Sequence, residues 1–346
     1  MRVKSLMKTL TISGQTGKSQ LLVGESLENL VDYLPASRTV IIADENVARI
    51  YGNVFPVKET ILVGQGEGNK TLETVSAIYD QLIARQADRS VFLLGIGGGV
   101  VCDITGFAAS TYLRGVGFGY VPTTLLAQVD ASVGGKTGVN FKGYKNMVGV
   151  FNQPAFVLCD PQVLKTLPAR ELACGFAEVV KHAAIADADY FDFLERESHR
   201  AFSLDAAIME RVIYDSVAIK AGIVRRDERE KGERRKLNFG HTFGHAVEKT
   251  EGFHHGESVS IGMMMAARLS EKRKKLDRQS VNRLADLLAS FQLPLESRVD
   301  MSRIMDAMAR DKKREGGSIH FVLLERLGKA VVEEISIIEL KKMLSP

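Results

Sequence analysis

The sequence predicts an α/β domain followed by a mainly α-helical one, and three observations carry that prediction. In the first half, short β-branched runs alternate with helical patterns, which is the arrangement of parallel βαβ units. From about Pro168 those runs cease and long amphipathic segments take over, until SIHFVLL and KAVVEE near the end read as a closing pair of strands. The chain has 346 residues, room for two domains of the usual ~100–200 residues, and the boundary falls near residue 165.

Taken in order, RTVIIAD at 38 to 44 and ETILVG at 59 to 64 are strands, and a helix runs from about Leu72 to Arg85. SVFLLGIGGG, 90 to 99, is a strand that runs into glycines and then into the helical pattern VVCDITGFAA. Glycines at a helix start let backbone N–H groups approach a pyrophosphate without interference from a Cβ. The dinucleotide fingerprint GxGxxG is not met, because Val100 stands where its last glycine belongs, and the acidic residue suited to a ribose, Asp44, lies upstream. The loop is therefore Rossmann-like but atypical. A tight strand-to-helix turn explains some of its glycines, but four in five positions favour a ligand.

The stretch from Tyr120 to Phe151 sets Thr123, Thr124, Asp130, Lys136, Asn140, Lys145 and Asn146 among glycines. Lysines on such loops suit phosphate, as point charges. GGKT invites a Walker A reading, which fails because the spacing needs a glycine at position 130, where Asp130 stands.

In the helical half, NFGHTFGHAVE (238–248) and FHHGES (253–258) hold four of the seven histidines, His241, His245, His254 and His255. His241 and His245 share a helix face at i and i+4. With His255 and the upstream Glu178, in GFAEVVKHAA, the region offers nitrogen and carboxylate ligands of the kind zinc accepts, and three protein ligands would leave a position open for substrate. Spacing does not choose which three of the four histidines bind. His182, His199 and His320 read as structural.

Composition excludes other classes. No apolar run approaches the ~20 residues of a spanning helix, and the N-terminus lacks a secretory pattern, so a cytoplasmic location is expected. Cys102, Cys159 and Cys174 form no CxxC pair and are expected to be buried apolar residues. The basic clusters at 225 to 236 and 271 to 278 are interrupted by acids, unlike a nucleic-acid footprint.

The motifs GGGVVCDITGFAASTYLRG, VPTTLLAQVDASVGGKTGVN with GYKNMVG, LKTLPARELACGFAEVVKH, NFGHTFGHAVE and HHGESVSIGMMMA occur together and in order. In this combination the chain resembles the 3-dehydroquinate synthase family over nearly its whole length. The resemblance implies an NAD-binding α/β domain over 1–165 and a mainly α-helical metal- and substrate-binding domain over 166–346, with the active site in the cleft between them. It implies conversion of 3-deoxy-D-arabino-heptulosonate 7-phosphate to 3-dehydroquinate and phosphate, in the shikimate route. The implied steps are transient oxidation by NAD, phosphate elimination, re-reduction, ring opening and an intramolecular aldol closure. The resemblance also implies a divalent metal, zinc or cobalt, alongside NAD.

Carried over residue by residue, the resemblance makes Glu178, His241 and His255 the metal ligands and His245 a substrate-contacting histidine near the phosphate. His254 receives no role. For NAD it indicates Asp44, Asn46, Glu67, Lys70, Gly98, Gly99, Val100, Asp103, Thr123, Thr124, Lys145 and Thr166. Around the reacting substrate it indicates Asp130, Lys136, Asn146 and Lys181. Lys220, Arg234, Asn238 and a lysine of Asp311-Lys312-Lys313, taken as Lys312, complete the substrate contacts. Arg114 looks like the arginine that a dimer partner extends to the phosphate, which implies a homodimer. The chain departs from the pattern at Cys102, at NFKGYKN and at GEGNK, all bordering the NAD site or the phosphate loop. The competing readings are another sugar phosphate cyclase acting on a carboxylate-free sugar, and a metal-dependent polyol dehydrogenase, which would release NADH. A nucleic-acid or scaffold protein is a third, and it leaves the histidines unexplained.

Overall fold

The computed structural model describes residues 7–297 and 318–344. It divides into two units, Met1–Leu167 with Met209–Glu228, and Pro168–Ile208 with Arg229–Pro346. The segment 209 to 228 thus belongs with the first unit, although its helical pattern reads in sequence as part of the second.

The first unit is built on a seven-stranded sheet. Its strands are β1 (Lys8–Gly14), β2 (Gly17–Val23), β3 (Thr39–Asp44), β4 (Thr60–Val63), β5 (Phe92–Gly97), β6 (Gly117–Pro122) and β9 (Phe156–Cys159), ordered β1-β2-β9-β6-β5-β3-β4. All neighbours are parallel except the edge pair β1 and β2. β3, β5 and β9 are apolar and buried along almost their whole length, as parallel strands covered on both faces must be. On one face Ile41, Ala43, Leu94, Ile96, Val121 and Leu158 pack with Leu27, Leu30, Val47 and Val163. The strands β7 (Lys136–Phe141) and β8 (Tyr144–Phe151) form a separate antiparallel hairpin.

Three helices of this unit position the site. They are α1 (Glu45–Tyr51), α2 (Leu72–Ala84) and α3 (Gly99–Thr111), each beginning shortly after a strand or the loop that follows it. Two of the four clustered glycines serve packing rather than a ligand. A Cβ at Gly95 would lie 2.8 Å from the Thr105 hydroxyl, and one at Gly97 2.6 Å from Val101, so α3 lies directly on β5. Cys102, Cys159 and Cys174 are buried free thiols, and burial raises all three above the ordinary thiol range.

The second unit is helical. α4 (Ala169–Ala186) is buried from Leu172 to Ile185, and α5 (Ala188–Phe202), α7 (His241–Glu251), α8 (His255–Lys272) and α9 (Arg278–Ser290) belong with it. Between α5 and α7 in the sequence comes α6 (Ala206–Arg226), most of which lies in the first unit. Phe176 of α4 stacks on Phe291 with ring centroids 4.1 Å apart, and Phe243 of α7 packs on Phe321. The expected late strands are present as β10 (Ser318–Arg326) and β11 (Lys329–Ser336), an antiparallel pair.

Candidate active site

In a parallel sheet every strand ends at the same edge, and ligands bind beyond the carboxyl ends. Asp44 closes β3, and its carboxylate caps α1 by accepting from the Val47 N–H at 2.9 Å. Asn46 accepts from Arg49 one turn on. Glu67 and Lys70 follow β4, Gly98, Gly99 and Val100 follow β5, and Thr123 and Thr124 follow β6. Thr166 follows β9, its hydroxyl 2.7 Å from the Tyr51 hydroxyl. The topology thus collects the expected cofactor residues of the strand ends at one edge of one sheet.

Gly98 is the N-cap of α3 and offers no capping side chain, so the first N–H groups of a 13-residue helix face whatever lies beyond β5. A Cβ at Gly98 would come within 3.2 Å of Thr124. These features fit a pyrophosphate. One turn into α3, Asp103 meets Lys70 at 2.5 Å, and the same ammonium reaches the Asn146 Oδ1 at 2.5 Å. Burial raises the Asp103 carboxyl and Lys70 pulls it back, leaving it above the ordinary carboxylate range.

Lys136 begins β7, and Lys145 and Asn146 stand exposed on β8. On the same unit, Lys220 of α6 donates to both the Asp130 carboxylate and the Asp130 carbonyl at 2.5 Å, with its side chain only 7% exposed. Arg114 is exposed and stands in left-handed backbone (φ 68°) between Leu113 (φ 47°) and Gly115 (φ 115°). Two successive non-glycine residues in that region cost roughly 1–3 kcal/mol each.

In the second unit two overlapping sets of side chains could hold an ion, Glu178 with His241 and His255, and His245 with Glu248 and His255. Glu178 is fully buried on α4; its Oε1 lies 3.7 Å from the His241 Nε2 and 3.5 Å from the His255 Nε2, and the three ligand atoms lie within 4.8 Å of one another. Ligand atoms ~2.1 Å from a tetrahedral ion are ~3.4 Å apart, so the set fits a divalent metal. Its other oxygen pairs with Lys181, also buried, one turn along α4. Burial and the Lys181 charge push the His241 imidazole down to about 3, so it is neutral, the form that ligates. Burial lowers His255 too, but the Glu178 and Glu248 carboxylates outweigh it and raise it to about 9.

His245 is more exposed, its ring 5.4 Å from that of His241 and 6.3 Å from that of His255. Arg234 is buried, and Asn238 donates to Glu230 at 2.5 Å. Lys312, with Asp311 and Lys313, lies outside the described residues.

Two contributors escape a reading of the sequence. His254 is the N-cap of α8, and Glu257 accepts from its N–H at 2.9 Å, a capping box that fixes where His255 begins the helix. Glu248 stands 3.7 Å from the His255 Nδ1, where a carboxylate orients a ligating imidazole. Its position, three residues after His245 and seven after His241, places it on the same helix face and is the signal that reveals it. Gly256 brings α8 against α4, since a Cβ there would meet the Cys174 backbone. Gly256→Ala is expected to cost about 2 kcal/mol, as overpacking against rigid backbone does. It should also weaken metal binding by displacing His255, as urea unfolding and a zinc titration would show.

Comparison with known proteins agrees with this geometry. Residues 60–174 match the family described as 3-dehydroquinate synthase N-terminal, and residues 175–314 the one described as 3-dehydroquinate synthase C-terminal. The 3-dehydroquinate synthase of Dehalococcoides mccartyi is 42% identical over 339 residues, 94% of each chain. Among solved structures, a 2-epi-5-epi-valiolone synthase from Streptomyces hygroscopicus subsp. jinggangensis 5008, with NAD+ and Zn2+ bound, superposes with a TM-score of 0.86. It has 30% identity and covers 99% of this chain and 98% of its own. A 2-deoxy-scyllo-inosose synthase complexed with carbaglucose-6-phosphate, NAD+ and Co2+ gives 0.85 at 26% identity, covering 97% and 98%. Among the described residues no helix is long and apolar enough to cross a membrane. The architecture is shared across the sugar phosphate cyclases, but both halves of the sequence point the same way within them, and the chain belongs to the 3-dehydroquinate synthase family.

Proposed function

We propose that the protein converts 3-deoxy-D-arabino-heptulosonate 7-phosphate to 3-dehydroquinate and phosphate, using NAD and one divalent ion. The observation that carries the reading beyond the shared fold is the stretch Arg234–His241. A buried guanidinium and Asn238 lead directly into the metal-binding set, and a guanidinium suits the substrate carboxylate that carboxylate-free sugars lack.

Glu178, His241 and His255 would hold the ion. The α3 start at Gly98–Val100, with Lys70, Asp103, Thr123, Thr124, Lys145 and Thr166, would hold the cofactor, and Asp44, Asn46 and Glu67 suit its adenosine end. When bound, the two supply transient hydride acceptance and Lewis acidity toward vicinal oxygens. The chain itself does the rest by placement. Lys136, Asn146 and His245 bind the phosphate and stabilise the charge it carries away. Asp130 holds the Lys220 ammonium at a fixed point, so that with Arg234, Asn238 and Lys312 it orients the carboxylate end. Lys181 balances the buried Glu178. No side chain is assigned as base at the carbon that loses its proton, the departing phosphate serving there. Ring closure then needs mainly a held conformation. We further propose a homodimer in which the exposed Arg114 reaches the partner's phosphate site.

The test is phosphate release from the heptulosonate phosphate by purified protein with catalytic NAD, with and without chelator, while absorbance from NADH is followed. Release that chelation abolishes, with no net NADH, is the expected result. No release by metal-loaded protein would move the reading to another sugar phosphate cyclase, and accumulating NADH to a polyol dehydrogenase.

A further inference from the structure

The β7–β8 hairpin is irregular where it matters. Val139 pairs with Val148 and Phe141 with Tyr144, so Asn140 alone faces Lys145, Asn146 and Met147. Such a bulge takes residues out of the ladder and leaves their geometry to other partners. Asn146 is one of them, in left-handed backbone at φ 53°.

Asn140 supplies the missing partners. Its Oδ1 accepts from the Asn146 N–H at 2.9 Å, its Nδ2 donates to the Glu67 Oε1 at 2.8 Å, and its backbone N–H donates to the Lys70 carbonyl at 2.8 Å. The circuit closes through the Lys70 ammonium, which donates to the Asn146 Oδ1 and to Asp103. The Asn140 side chain therefore ties the loop after β4 to the exposed end of β8, and Lys70 extends the link to the start of α3.

We propose that Asn140 is a positioning residue: it sets the Lys145–Asn146 bulge and locks it to Glu67 and Lys70, so that the phosphate-facing and cofactor-facing residues are held as one piece. This rests on the functional reading above, which gives Asn146 to the substrate and Glu67 and Lys70 to NAD.

The experiment is a double-mutant cycle on the full chain with Asn140→Ala, Asn146→Ala and both, supplemented by Asn140→Asp. It reads KM and kcat for phosphate release, the NAD dissociation constant by calorimetry, and the thermal midpoint. Asn140→Ala is expected to raise KM for the sugar phosphate about 10-fold, the effect of a lost hydrogen bond that left a polar group unpaired. If Asn140 acts through Asn146, the double variant matches Asn146→Ala within about twofold, whereas independent roles multiply. Asn140→Asp keeps the acceptor for the Asn146 N–H but sets a carboxylate against Glu67, so it should weaken NAD while leaving KM for the sugar phosphate near that of the parent. Multiplicative losses in the double variant, or an Asn140→Asp as impaired in KM as Asn140→Ala, overturn the proposal. If Asn140→Ala does not fold, the split between KM and NAD binding in Asn140→Asp decides. If the unaltered protein binds NAD but releases no phosphate, the functional reading falls. The cycle is then read in NAD dissociation constants, where non-additivity still supports the positioning role and additivity still overturns it.

Discussion

Replacing His241 by alanine is expected to strip the protein of its metal and of phosphate release together, by more than the roughly 10- to 100-fold that loss of an outer-sphere partner costs. His241 and His255 approach the same Glu178 oxygen, so removing one leaves a two-ligand remnant around a buried carboxylate. His245→Ala is expected to differ in kind. Its ring neighbours both histidines but lies outside the Glu178 set, so the variant should retain its ion and lose about 10²-fold in kcat, the scale of a lost electrostatic donor. Metal analysis of both variants after gel filtration, beside a phosphate-release assay, distinguishes the two. Equal metal loss in both would contradict the ligand assignment.

Lys181→Met carries the other large effect, on stability. Glu178 and Lys181 are both buried, and removing one member of such a pair costs roughly 3–5 kcal/mol because the remaining charge has lost its balance. The divalent ion supplies the same compensation. The variant should therefore be strongly destabilised in chelator and largely rescued by zinc, binding at 1,000 times its dissociation constant being worth about 4 kcal/mol. Urea unfolding of parent and variant, each with chelator and with zinc, gives the comparison. A gap between the two conditions no wider in Lys181→Met than in the parent would show that Lys181 does not balance Glu178.

Much of the candidate metal set was legible because histidine is scarce in this chain and helical periodicity puts His241 and His245 on one face. Spacing alone left His254 and His255 open, since adjacent residues look alike until a helix start is fixed, and only the family resemblance favoured His255. The structure makes His254 the cap and His255 the first residue inside. The alternating strands and helices of the first half gave β3, β4, α2 and β5 nearly to the residue, because buried parallel strands are written as unbroken apolar runs. The β7–β8 hairpin was hidden behind its glycines, which read as loop, and Asn140 behind a bulge that no periodicity announces. Nor can a helical pattern tell which core it joins, which is why α6 read as part of the second unit.

That return of the chain to its first unit bears on how the protein is made. A nascent polypeptide released as far as residue 167 has all of β1 to β9, yet lacks the helix that carries Lys220, the partner of Asp130. By the time residue 228 leaves the ribosome, α4 and α5 are already outside. The first unit cannot be complete before part of the second has been synthesised, and a gene cut at 167 would yield a fragment lacking the cation that Asp130 holds. Separate expression of the halves would need residues 209–228 supplied to the first.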